Sequence, residues 1–240
     1  MDNSPGDRLA EPMARTHGAS YIKAETNLGY AGGMNLGIGA LQSDAPYVLM
    51  LTHEVILEPH TPRELLLTLH EAPGIAGPVL RRERDGSTWS AGGSLDRLGR
   101  ASHRTDLPAS DTAVEWVDGA CVMSSRAVLE QLDGFDESFF LYWEDVDLCY
   151  RARQSGIPVT VGHRAVASQE TSTVPAYYQA RNHVRFWITH RRPTKVVTAL
   201  LIQVWKLSRE ILRGDTRDVR NRIAGLRDGV RGGHDARLAR

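Results

Sequence analysis

The sequence predicts an α/β fold: a mostly parallel sheet flanked by helices, followed by a helical C-terminal extension. Two observations carry this. Short apolar strand signals alternate with helical ones through residues 1–175, and from Ala176 onward the pattern is helical and basic to residue 240. At 240 residues the chain can bury one substantial core, or one domain with an appendage, and its 41% hydrophobic and 24% charged content are those of an ordinary soluble protein.

In chain order, Ala19 to Lys23 reads as a strand, Gly33 to Leu41 as a helix behind a glycine-rich turn, Tyr47 to Leu51 as a buried strand, and Pro62 to Glu71 as a helix. Ile75 to Leu80 is another short apolar strand. Residues 81–113, with Asp85-Gly86-Ser87 and Leu98-Gly99-Arg100, read as an irregular or hairpin excursion. Trp116 to Met123 is an apolar strand with small residues in its middle, Ser125 to Leu132 a helix, and Gly156 to Ala167 a turn and strand. The apolar run Lys195 to Leu207 has basic ends; it either packs on the body or lies in a membrane interface.

The run Phe139 to Arg153 holds three carboxylates, Glu144, Asp145 and Asp147, among aromatic and aliphatic residues. Acids are costly in such surroundings unless they have a task there. If Val146 to Arg153 is helical, Glu144 and Asp145 lie at its N-terminal end, where free N–H groups and the helix dipole favour negative charge. Such a carboxylate suits a base. It equally suits a helix cap, with Asp147 paired to Arg151 four residues on.

The order of Asp118-Gly119-Ala120 in a strand, a helix, Asp133-Gly134-Phe135-Asp136-Glu137, Phe139-Phe140 and Tyr142-Trp143-Glu144-Asp145-Val146-Asp147-Leu148 resembles the acceptor-side half of family 2 glycosyltransferases, the rhamnosyltransferase-like branch above all. Asn27-Leu28-Gly29-Tyr30-Ala31-Gly32-Gly33-Met34-Asn35, which fits neither the P-loop nor the dinucleotide fingerprint, resembles the segment of that family beside the nucleotide donor. The resemblance covers roughly residues 1–182.

It implies a GT-A, Rossmann-like fold and transfer of a sugar from a nucleotide-sugar donor to a saccharide, lipid-linked or small-molecule acceptor, with inversion. Asp145 would be the base and Glu144 its orienting partner; Asp147 would be structural. Asp2, Asn27, Gly29, Gly32, Gly33, Asn35, Asp118, Gly119 and Ala120 would lie at the donor. A divalent cation, Mg²⁺ or Mn²⁺, would sit at Thr52-His53-Glu54, with Glu54 where the family carries its liganding aspartate. Ser168 stands where many relatives have a histidine, with His163 five residues earlier as a candidate substitute. Arg181-Asn182 matches a family pair whose role the sequence does not give. Met1 to Asp7 resembles a segment that normally follows the second strand, so the first strand, the first helix and most of the second strand are expected to be missing. These departures leave a second reading open, a catalytically weak or inert binding subunit partnering another enzyme. A nucleotidyltransferase, a third reading, lacks a basic glycine-rich loop for a triphosphate.

The zero net charge hides an asymmetry: residues 181–240 hold 15 of the 29 Lys and Arg but 5 of the 29 Asp and Glu. This +10 segment could clamp the acidic body or make peripheral contact with an anionic membrane. No nucleic-acid motif accompanies it, so no nucleic-acid partner is expected. With Cys121 and Cys149 alone, no zinc spacing, no signal peptide and no apolar run near the length of a span, the expected location is the cytoplasm, peripheral to the inner face of the membrane if the tail binds there.

Overall fold

The computed structural model describes residues 1–4, 9–42, 44–170 and 174–233. Its elements are α1 (Ala10–Thr16), α2 (Gly29–Gly39), β1 (Tyr47–Leu51), β2 (Ile56–Leu57), α3 (Thr61–Glu71), β3 (Ile75–Arg82), β4 (Thr88–Ser90), β5 (Gly93–Leu95), β6 (Ala101–His103), β7 (Thr112–Ala113), β8 (Cys121–Ser125), α4 (Arg126–Gln131), α5 (Glu144–Gln154), β9 (Val159–Gln169), α6 (Ala176–Thr189), α7 (Pro193–Leu212) and α8 (Thr216–Arg231).

The main sheet runs β1-β8-β3-β9-β2, with β4 on β3 and β7 on β9; β5 and β6 form a separate hairpin. Every residue of β3 from Ile75 to Leu80 is buried, as a strand covered on both faces requires. Helix α3 carries Pro62 in its first turn and turns Leu65, Thr68 and Leu69 inward at helical spacing. Helix α4 starts where the Ser125 hydroxyl accepts the Val128 N–H at 3.2 Å.

The α/β class holds, and three details differ from expectation. The sheet is mixed: among the described strands only β3 and β9 run parallel, while β1, β8, β2, β4 and β7 pair antiparallel. Ala19 to Lys23 forms no strand, making only a bridge from Lys23 to Asp2. The glycine-rich segment is already helix, beginning at Gly29. Glycine is a poor helix former, but here tertiary contact overrides propensity. Gly29 has φ +72°, and a Cβ on it would overlap Phe140, whose carbonyl accepts the Tyr30 N–H at 2.7 Å.

The C-terminal helices join the same core. Val184, Phe186 and Trp187 of α6 cluster with Val146, Leu148 and Val161. Gly225 and Gly229 let α8 lie directly on the α6 backbone, where a Cβ at Gly229 would come within 2.6 Å of the Arg181 carbonyl oxygen. Among the described residues no helix is long and apolar enough to cross a membrane.

Candidate active site

The chain reaches α5 through a sharp elbow. Phe140, Tyr142 and Trp143 all have positive φ, at 64°, 67° and 74°, a conformation that costs non-glycine residues about 1–2 kcal/mol each. Two buried side chains of α6 hold it. Asn182 donates its amide to the Leu141 and Tyr142 carbonyls, both at 2.8 Å. Arg181 donates to the Ser138 carbonyl at 2.8 Å and to the Asn182 Oδ1 at 2.5 Å. The Arg-Asn pair therefore satisfies backbone groups that no regular element can reach. Trp143 stacks on His183 of the same helix, ring centroids 5.1 Å apart.

The elbow delivers Glu144 and Asp145 to the first turn of α5. Asp145 accepts the Gly119 N–H through Oδ2 at 2.9 Å and the Val146 N–H through Oδ1 at 2.7 Å. Gly119 is pinned from its other side by the Tyr30 hydroxyl, which donates to its carbonyl. The fit is tight: a Cβ on Gly119 would lie 3.2 Å from the Asp145 Cβ and 3.3 Å from the Tyr30 hydroxyl, so either neighbour would have to give by a few tenths of an ångström. Asp118 accepts the Ala120 N–H at 3.0 Å and the Trp89 indole N–H at 3.3 Å.

Burial and the nearby Asp118 charge push the Asp145 carboxyl up to about 7, against its backbone hydrogen bonds. Burial, with Asp145 adding to it, holds Glu144 well above the carboxylate range, and its Oε2 has no hydrogen-bond partner among the described residues. Burial thus favours the protonated form of Glu144, while Asp145 titrates near neutrality and keeps unused lone pairs beyond its two backbone bonds. Asp147, bonded to Arg151 at 2.7 Å and His190 at 2.8 Å, is structural.

These groups face a cavity of about 900 Å³. It gathers Thr52, Glu54, Asp118, Gly119, Ala120, Glu144 and Asp145 from distant parts of the sequence. Asp2, Asn27, Gly29, Gly32, Gly33, Asn35 and His53 are not among its lining residues. The Asn35 amide is spent on Phe135 and Glu137, Asn27 accepts the Gly29 N–H, and Asp2 is held by Tyr21, Lys23 and the Ser4 N–H. The glycine segment instead brings Tyr30 to the cavity.

Sequence reasoning did not single out Tyr30, or His103 on the opposite wall. His103 lies between the rings of Trp89 and Trp116, 4.7 Å from each, and its Nε2 is 3.9 Å from Asp118. Burial lowers its pKa against the Asp118 charge. Three short strands bring these residues together from an irregular segment, and no sequence spacing announces it.

For a cation the donor set is spare. Among the described residues no three His, Cys, Asp or Glu side chains gather into a metal-holding group. His53 and Glu54 lie in the turn between β1 and β2, where the His53 side chain is 97% exposed to solvent and touches Glu54 at 3.0 Å. His163 is no substitute: it binds Asp111 at 2.6 Å beside a second, smaller cavity. What remains is the Glu54 carboxylate on the wall and the Thr52 hydroxyl, buried with no hydrogen-bond partner among the described residues. That fits a hard cation taking one protein carboxylate and completing its shell from substrate phosphates and water. Cys121 and Cys149 are buried and unpaired, burial pushing both thiols up to about 12, which makes them inert.

Comparison with known proteins accords with this arrangement. A low-salt glycan biosynthesis hexosyltransferase of Haloferax volcanii is 30% identical over 173 residues, covering 66% of this chain and 54% of the relative; the chain thus spans about half the length of that protein. An N-acetylglucosaminyl-diphospho-decaprenol L-rhamnosyltransferase of Mycobacterium tuberculosis is 28% identical, covering 78% of this chain and 72% of the relative. Among solved structures, GalNAc-T7 with UDP, GalNAc and Mn²⁺ superposes with a TM-score of 0.61 at 13% identity, over 76% of this chain and 39% of that one. A Pyrobaculum calidifontis mannosyltransferase in complex with GDP-Man and Mn²⁺ gives 0.54 at 13% identity, over 95% of this chain and 63% of that one. The fold is therefore that of GT-A glycosyltransferases. The profile of the family described as "Glycosyltransferase like family 2" matches residues 7–187, three quarters of the sequence, and the chain belongs to that family.

Proposed function

We propose that the chain is an inverting glycosyltransferase, moving a sugar from a nucleotide-sugar donor to the hydroxyl of a lipid-linked saccharide or related acceptor. The observation that carries this is Asp145, a carboxylate brought near neutrality at the floor of a large cavity and aimed by two backbone N–H groups. In the step, the acceptor oxygen attacks the anomeric carbon while its proton passes to Asp145. The bond from that carbon to the donor phosphate breaks, and the nucleoside diphosphate leaves with the electron pair. Burial favours the neutral form of Glu144, which keeps a second negative charge from accumulating beside the base. Tyr30 and Gly119 fix the floor on which the sugar rests. Asp118, His103 and the two flanking tryptophans offer a polar and aromatic wall to the sugars.

A divalent cation, Mg²⁺ or Mn²⁺, held by Glu54 beside Thr52, would supply charge neutralisation for the departing diphosphate. Asp2 and the segment Asn27–Asn35 would act at the donor end by holding Tyr30 and the elbow in register. The relatives' names support a hexose or deoxyhexose donor and a polyprenyl-diphosphate acceptor, and a cytoplasmic location is part of the same reading. The lone carboxylate at the cation position favours the second reading, a weakly active partner subunit, and the same experiment separates the two. It measures nucleoside diphosphate release from UDP-, dTDP- and GDP-linked sugars with lipid-linked acceptors. The wild-type chain should turn over one donor, and Asp145→Asn should lose about 10²–10⁴-fold in rate. Folded wild-type protein that binds a nucleotide but turns over no donor would establish the partner reading.

A further inference from the structure

Helix α7 is a wall of the cavity on one side and, among the described residues, has an exposed apolar face on the other. Ile202, Gln203 and Lys206 line the cavity. On the opposite side Val197, Leu201, Val204, Trp205, Ile211 and Leu212 are exposed, from 54% for Val204 to 86% for Leu212. At 3.6 residues per turn these six fall in an arc of about 120°. The carboxylate of α7, Glu210, is turned away from the arc and paired with Arg222. Exposed Arg209 flanks the arc, its guanidinium 4.8 Å above the Trp205 ring, and exposed Arg213 caps the end of the helix. An exposed apolar face of this kind, interrupted only at Ser208, marks a docking surface rather than ordinary exterior.

Charge selects the occupant. Residues 181–240 carry a net +10 (15 basic against 5 acidic). Pairing two copies through this face would bring two such segments together, whereas an anionic surface neutralises one. An apolar arc with a tryptophan at its margin and arginines at its flank and its end matches a helix lying in the plane of a bilayer: the indole sits at headgroup level, and the long cationic side chains reach back to lipid phosphates.

We propose that α7 docks in the plane of an anionic lipid bilayer through this arc. The cavity wall that α7 forms is then held at the membrane, and a lipid-anchored acceptor reaches Asp145 from the bilayer side. The second statement rests on the transferase reading; the docking itself does not.

The test is co-sedimentation of the full chain with phosphatidylcholine vesicles, with and without phosphatidylglycerol, without any sugar donor. The wild-type chain should sediment with the anionic vesicles and be released by salt. The double variant Leu201→Glu/Trp205→Glu should lose at least about tenfold in partitioning, and Arg209→Glu/Arg213→Glu should lose the preference for phosphatidylglycerol, both with wild-type circular dichroism and unfolding midpoint. Absence of vesicle binding, or equal binding by wild type and the Leu201→Glu/Trp205→Glu variant, would overturn the proposal. So would a dimer in light scattering that this variant dissociates, which would assign the face to a second copy. Nucleotide titration of the same proteins keeps the two ideas separate: vesicle binding without nucleotide binding removes the transferase and leaves the docking face, and the converse removes the face alone.

Discussion

Asn182 donates its side-chain amide to the Tyr142 carbonyl at 2.8 Å, and this bond joins the helical C-terminal region to the turn that presents the base. Tyr142 and Trp143, the two residues before Glu144, are held at positive φ, so the placement of Asp145 depends on a side chain nearly forty residues later. Asn182→Leu removes the amide that donates to the part-buried Leu141 and Tyr142 carbonyls. The expected cost is about 1–3 kcal/mol, read as a lower urea midpoint at unchanged m-value.

A second buried chain of contacts ties α8 to the same elbow. Arg222 donates to the Gln203 Oε1 at 2.5 Å, Gln203 donates to the His183 Nδ1 at 3.1 Å, and His183 reaches the Gly99 carbonyl at 2.9 Å while stacking on Trp143. Burial lowers the His183 pKa to about 4, so the ring is neutral at pH 7 and its partners fix the proton on Nε2. Gln203→Leu strands both the His183 Nδ1 and one Arg222 N–H. Unfolding should show a loss of roughly 2–4 kcal/mol, whereas an exposed change such as Thr194→Ala on the same helix should leave stability within about 0.5 kcal/mol.

The pH dependence has a defined sign. Asp145 acts as a base only when ionised, so kcat/KM should fall below an apparent pKa of about 7 and level off above it. Asp118→Asn removes a negative charge that helps raise Asp145, and the acidic limb should move to lower pH. A limb unmoved by Asp118→Asn would take Asp118 out of that role. Stability follows the opposite course. Between the ordinary value of 3.8 and about 7 the folded chain keeps a proton on Asp145 that the unfolded chain has lost. This group therefore lowers stability as pH rises through that window. Relative to wild type, Asp145→Asn should gain stability from pH 4 to pH 8 in paired denaturation curves.

A side chain on Gly119 would press on both Asp145 and Tyr30. Gly119→Val should displace the Asp145 carboxylate and reduce turnover at least about 10²-fold, since ångström-scale misplacement of a reacting group costs that much. Circular dichroism and nucleotide affinity should stay close to wild type.

Much of the site was legible because its chemistry is local. Glu144-Asp145 before a helix, and Asp118-Gly119-Ala120 before β8, are contiguous signals whose meaning depends on few distant partners. The rest depends on tertiary contact. Arg181-Asn182 could be seen as a pair, but its partners are carbonyls of a left-handed elbow, and backbone acceptors leave no mark in a sequence. The glycines at 29 and 32 suggest a turn before a helix that starts at Gly33, because propensity disfavours them in helices; their packing against Phe140 and Leu28 reverses that. The sheet was expected to be mostly parallel from the alternation of elements, and strand direction is settled by pairings that alternation does not encode. His103 gave no signal, since a lone histidine in an irregular stretch acquires meaning only when Trp89 and Trp116 close around it.

The most direct measurement is calorimetric titration of the chain with UDP, dTDP and GDP, each with and without Mn²⁺, repeated on Glu54→Ala. One nucleotide should bind, Mn²⁺ should strengthen it, and Glu54→Ala should remove about tenfold of that gain, the worth of one charged ligand contact, while leaving metal-free binding unchanged. A correctly folded chain that binds none of the three, with or without Mn²⁺, would contradict the account of this cavity as a nucleotide-sugar site.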